Sequence, residues 1–121
     1  MKYLCQVYLE ERTMKALSKG ELATLDHDSV TFDKELQRSG YLIVAEALQS
    51  PDTATTVRVR DGKVSVTDGP FAETKEHLGG FLLIEARDLN DAIRVAAGVP
   101  IAKFGSIEVR PIYEVPGRET Q

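Results

Sequence analysis

The run from Thr55 to Asp68, Thr-Thr-Val-Arg-Val-Arg-Asp-Gly-Lys-Val-Ser-Val-Thr-Asp, alternates aliphatic and polar residues on both sides of Asp61-Gly62. A two-residue type I′ turn needs positive φ at both central positions, and Asp-Gly between alternating runs is the strongest short hairpin signal. The register follows from the turn. Arg60 faces Lys63, Val59 faces Val64, Arg58 faces Ser65 and Val57 faces Val66, which puts the valines on one face and the polar residues on the other. The second strand then runs into Asp68-Gly69-Pro70-Phe71, which neither helix nor strand can absorb.

The remaining elements read outward from this hairpin. Lys2 to Leu9 predicts a first strand, with Tyr3, Cys5, Val7 and Leu9 alternating against Leu4, Gln6 and Tyr8. Ser18-Lys19-Gly20-Glu21 has capping-box spacing, so a helix starts there, carries Leu22, Leu25, Phe32 and Leu36 as one stripe, and stops at Ser39-Gly40. Tyr41 to Leu48 is a nearly continuous apolar run whose one charge is Glu46, the pattern of a strand covered on both faces. Gly80 to Ala86 predicts another buried strand. Asp88 caps a second helix bearing Leu89, Ala92, Ile93 and Ala96, ended by Gly98 and Pro100. A last strand is predicted from Ser106 to Val115, interrupted or at an edge where Pro111 lacks an N–H.

Setting the hairpin aside, the order is β-α-β-β-α-β, the α+β pattern of the ferredoxin-like fold with two helices on one face of an antiparallel sheet. Two helices cannot cover both faces. The other face still carries apolar residues, so a second copy of the chain is expected to cover it. At 121 residues the chain is expected to form one domain over residues 1–115, followed by a polar tail over 116–121.

Composition excludes several classes. A hydrophobic fraction of 42% with 28% charged residues is that of an ordinary globular protein. The single cysteine, Cys5, cannot form an internal disulfide and reads as a small buried hydrophobe. No apolar run approaches the roughly 18 residues of a membrane span, and Glu10-Glu11-Arg12 cuts short any signal-peptide core, so a cytoplasmic location is expected. A formal charge of −4 without a basic stripe argues against nucleic acid as a partner, although Arg58, Arg60 and Lys63 cluster locally. Two histidines with scattered acids predict no metal site, and the absence of a P-loop, dinucleotide fingerprint or nucleophile elbow leaves cofactor-free chemistry or plain binding.

Thr55 to Glu76, Gly79-Gly80-Phe81 and the late Gly105-Ser106-Ile107-Glu108-Val109-Arg110-Pro111 together resemble the YCII-related proteins, in the branch known for the Asp-Gly-Pro-Phe run seen at Asp68 to Phe71. The resemblance spans nearly the whole chain and implies a dimeric α+β barrel, with sheets packed face to face in a homodimer. It fixes no reaction. In the other branch of that family a helix histidine is thought to pair with an aspartate, and counting back from Gly40 puts that position at Ser29, so this chain departs from the pattern. The resemblance also suggests a sigma-factor-type regulator as a protein partner, because sequences of this branch often occur beside or fused to such regulators.

Six residues are candidates for chemistry. Asp68, at the end of the hairpin, is either a general base or substrate anchor in a cleft, or a residue capping its own turn. His77 is either a titrating neighbour of Asp68 or a solvated loop histidine. Glu46 is a lone charge in an apolar strand, where an unpaired carboxylate must find a partner, solvent or ligand. Arg58 and Arg110 are its candidate partners and could bind a substrate carboxylate in two-point fashion. Phe71 is a core plug or a stacking surface for substrate. Asp68 and Glu46 are expected to open onto one pocket with a guanidinium in reach. By contrast, His27 points away from the apolar stripe and is expected in solvent, whereas Ser29 falls inside the stripe.

Three functions fit this reading: a cofactor-independent small-molecule-binding protein or acid-base enzyme acting through Asp68, Glu46 and His77; a non-catalytic dimeric interaction module linked to sigma-factor-type transcription regulation; or a structural homodimer with only a vestigial pocket.

Overall fold

The structure, a computed structural model, describes residues 1–118. In chain order the elements are β1 (Lys2–Glu10), α1 (Glu11–Lys15), α2 (Lys19–Arg38), β2 (Leu42–Ala47), β3 (Thr55–Arg60), β4 (Lys63–Asp68), β5 (Glu76–Glu85), α3 (Leu89–Gly98) and β6 (Ser106–Pro111). Single 3₁₀ turns occupy Pro51–Thr53 and Pro100–Lys103. Four strands pair antiparallel in the order β2-β5-β1-β6, and β3 and β4 form a separate two-stranded ribbon. The frame β1-α2-β2-β5-α3-β6 is therefore the ferredoxin-like α+β arrangement, with the hairpin inserted between its two middle strands.

Local chemistry sets the helix ends. The Ser18 hydroxyl accepts from the Glu21 N–H at 3.1 Å and the Glu21 carboxylate accepts from the Ser18 N–H at 2.9 Å, the reciprocal capping box expected from the spacing. At the other end Gly40 takes φ +83° and lets the Tyr41 N–H reach the Leu36 carbonyl at 2.9 Å. Asp88 caps α3 by accepting from the Asp91 N–H at 2.8 Å.

The core lies between the sheet and the helices. Tyr3, Cys5, Val7 and Leu9 of β1 are buried on that side, aligned with Leu82 and Ile84 of β5 and covered by Leu36 of α2 and Ala92, Val95 and Ala96 of α3. The opposite, open face carries Leu4, Gln6 and Tyr8 of β1, aligned with Leu83, Phe81 and Leu78 of β5 and with Arg110, Glu108 and Ser106 of β6. Val44 and Glu46 of β2 lie beside Leu83 and Phe81 on the same open face.

A buried carboxylate links the layers. Asp91 of α3, 4% exposed, accepts from the Arg87 backbone N–H at 3.0 Å, from the Tyr41 hydroxyl at 3.0 Å and from the Arg94 guanidinium at 2.9 Å. Hydrogen bonds from the Arg87 side chain and backbone hold its carboxyl far below the usual carboxylate range. This network ties the entry of β2 to α3 across 50 residues of chain.

The hairpin adopts the expected register: Val57 pairs with Val66, Arg58 with Ser65, Val59 with Val64 and Arg60 with Lys63. Asp61 and Gly62 take φ +52° and +75°, as the turn requires.

Four expectations need correction. β2 is not covered on both faces; it is the sheet's edge strand, with Ile43 displaced at a bulge and Ile43, Val44 and Glu46 exposed. β5 begins at Glu76 rather than Gly80, because β1 pairs along its whole length as far as Glu10 opposite Glu76. His77 is thus a strand residue and not a loop residue. β6 ends at Pro111, which has no N–H for the ladder, so Tyr113 does not continue the inward face and is 75% exposed. The short helix α1 was not anticipated. The polar tail beyond residue 118 lies outside the described residues.

Candidate functional site

Two concavities flank the residues singled out in the sequence. The first, about 330 Å³, lies between α2 and the sheet. Its roof is one face of α2, bearing Leu25, Asp26, Ser29, Phe32 and Asp33, and its floor comes from β1, β2 and β5. Two glycines shape that floor. A Cβ on Gly80 would lie 2.7 Å from the Glu46 carbonyl oxygen, so any larger residue there would push β2 away, whereas one on Gly79 would lie 2.6 Å from the end of the Leu9 side chain and displace that side chain. Gly80 thus lets the edge strand lie close.

Asp33 is the distinctive group in this cavity. It sits one turn beyond Ser29 on the same helix face, half-buried among apolar side chains. Burial pushes its carboxyl above the ordinary aspartate value, with no cation or donor among the described residues offsetting the effect. A carboxylate that holds its proton more tightly than usual, inside a cavity, is the material of acid-base chemistry. The sequence reading missed it by following only the apolar members of the stripe. The signal was present: at about 100° per residue Asp33 lies about 40° from Ser29 on the helix wheel, inside the inward face.

The second concavity, about 610 Å³, lies where the open face meets the loop before β3 and the segment after β4. Tyr8, Phe71, His77, Leu48, Pro51 and Glu76 line it. Arg58 of the hairpin stands over the Phe71 ring, 5.0 Å from its centroid, a cation–π contact. Phe71 is 72% exposed, which removes the core-plug reading.

The structure brings together His77 and Phe71 in this groove, with Arg58 on Phe71. The other candidates are elsewhere. Asp68 pairs with Thr55 at the end of β4, is exposed, and lines neither concavity; the turn after it is held instead by the Gly69 N–H on the Ala54 carbonyl, 2.8 Å, and the Thr56 hydroxyl on the Gly69 carbonyl, 2.8 Å. Glu46 borders the α2 cavity from the edge strand, its side chain on the open face, and makes no ion pair among the described residues. Arg110 is engaged by Glu108 on the open face at 2.7 Å, not by Glu46. The expected convergence of Asp68 and Glu46 on one pocket therefore does not occur. His27 is exposed and Ser29 faces inward, both as the helix wheel predicts.

An antiparallel sheet backed by two helices, with a glycine-floored cavity beneath the first helix and an inserted hairpin, defines a small α+β domain of the ferredoxin-like class. The YCII-related domain matches residues 1–116, so the chain belongs to the YCII-related family. An uncharacterized protein of Rhizobium meliloti (strain 1021) is 36% identical over 114 residues, which cover 93% of this chain and 92% of that one. No helix among the described residues is long and apolar enough to cross a membrane.

Proposed function

We propose that the protein is a homodimer that binds a small, largely apolar molecule in the cavity beneath α2 and transfers a proton to or from it through Asp33, without a cofactor. The observation that carries this reading is the Asp33 carboxyl, without an ion-pair partner among the described residues and raised by burial in a cavity walled by Val7, Leu9, Phe32 and Leu82. Structure alone gives no return for placing a carboxylate there, since an apolar side chain would fill the site at lower cost. Asp33 then acts as the acid or base, the Ser29 hydroxyl orients a polar group of the ligand, and the apolar walls hold the remainder. At about 330 Å³ the cavity suits a molecule near the lower end of ligand size. An interaction module beside a sigma-factor-type regulator would leave Asp33 without a role, which ranks that alternative second.

The test is a pH titration of carboxyl-labelled protein by NMR, together with native mass spectrometry for a co-purifying small molecule. The reading expects Asp33 to titrate above the roughly 3.9 of a free aspartate, and the bound species to be lost in Asp33→Asn. An ordinary Asp33 titration with no bound species overturns it.

A further inference from the structure

The hairpin leaves a four-valine face bare. Val57, Val59, Val64 and Val66 all point the same way, and each keeps more than half of its surface exposed. Among the described residues no helix or other strand packs closely on the ribbon. Four valine side chains so exposed offer on the order of 300 Å² of apolar surface, a sizeable bare patch for a monomer. An isolated two-stranded ribbon is also only marginally stable in water.

We propose that this hairpin is an exchange arm whose valine face packs on the second copy of the chain in the homodimer. The proposal rests on the dimer put forward above and adds the element that completes it. Its occupant follows from three observations. The root of the arm stands on the open side of the sheet, because Phe71 and Pro70, just beyond β4, line the same groove as the open-face residues Tyr8 and Leu78. The arm is long enough: six-residue strands extend roughly 20 Å, against about 10 Å between sheets packed face to face. The arm as a whole is net positive, with Arg58, Arg60 and Lys63 on the face opposite the valines against two acids, while the whole chain is at −4, so charge steers the arm toward another copy at long range. A positive arm on a negative body meets attraction from another copy of itself. Because a two-fold dimer repeats every contact, both arms are covered at once. The two arms then add several hundred Å² to the face-to-face contact, toward the roughly 1,600 Å² typical of a stable complex.

The experiment uses the full chain. Valine-methyl-labelled protein mixed with unlabelled protein is examined by isotope-filtered NMR, and the oligomeric state of wild type and of Val59→Asp/Val64→Asp is measured by sedimentation. The expected result is a wild-type dimer with intermolecular contacts to the arm valine methyls, and a dimer dissociation constant at least about 100-fold weaker in the variant. The variant's unchanged circular dichroism and intact β1–β5 contacts then exclude general unfolding; should it unfold, the isotope-filtered contacts in wild type decide alone. A wild-type monomer overturns both the dimer and the arm. A dimer whose arm methyls show no intermolecular contact overturns the arm alone, as does a variant that dimerises like wild type but loses binding to a separate regulator protein.

Discussion

The β1–β5 pair and the β3–β4 hairpin are both antiparallel ribbons written in alternating aliphatics, yet their fates differ. Cys5 and Ile84 are wholly buried, whereas the hairpin valines remain between 56% and 68% exposed. Alternation states which side chains share a face. It does not state what lies above that face, which depends on elements far away in the chain: α2 and α3 cover β1 and β5, and no element among the described residues covers the hairpin's valine face.

The largest contrast should appear in chemistry. Burial pushes the Cys5 thiol up to about 11, so at pH 8 it is protonated as well as inaccessible. Native protein should react with a thiol reagent at least about a thousandfold slower than unfolded protein, as followed spectrophotometrically; rapid native labelling would mean that the covered face opens easily. Next comes packing. Ile84→Ala should cost about 2–5 kcal/mol in denaturant unfolding, while Val64→Ala should stay within about 0.5 kcal/mol at concentrations where the chain is monomeric. Equal costs would erase the distinction between the two ribbons.

A smaller effect separates local from global stability. Gly62→Val forces a β-branched residue to φ +75° and should cost about 1–2 kcal/mol. That loss should appear as faster hydrogen exchange in the hairpin amides, with little change in the core. The smallest effect concerns Asp33. Its carboxyl is raised in the folded state, so folding favours the protonated form, and a penalty develops as pH climbs from the free-aspartate range through the folded value. Asp33→Asn should therefore be more stable than wild type at pH 7, by less than about 1 kcal/mol because solvent screens the half-open site. The gain should vanish below about pH 3.5. Thermal melts across pH give the curve, and a gain persisting in acid would assign it to packing.

The hairpin register, both helix caps and the inward stripe of α2 were legible because each rests on neighbours within four residues or on a two-residue turn. What could not be read locally was what covers what. The apolar run of β2 looked like a doubly covered strand, but its place at the sheet edge is set by pairing with β5, as Ala47 with Gly80 and Leu42 with Ile84, far away in the chain. Asp68 and Glu46 looked convergent because both are acids at irregular points, yet one ends the hairpin and the other lies on the edge strand. The burial of Asp33 is not legible from the helix alone, because a carboxylate at the margin of an apolar stripe is solvated or buried according to the strands beneath it, which come from β1, β2 and β5.

The strand order β2-β5-β1-β6 also has a consequence for the growing chain. β1 is made first, sits inside the sheet and has no partner nearby in sequence: Glu10 pairs with Glu76 and Tyr3 with Ile84. At the roughly 5–20 residues per second of synthesis, β1 waits on the order of 4–15 seconds with both edges unpaired, while the hairpin can close as soon as it leaves the ribosome. The capped helix α2, made after β1 and the short α1, is the first long helix available in that interval to shelter its apolar side. The Ser18–Glu21 capping box, which needs only residues already made, sets the start of that helix before any strand partner of β1 exists.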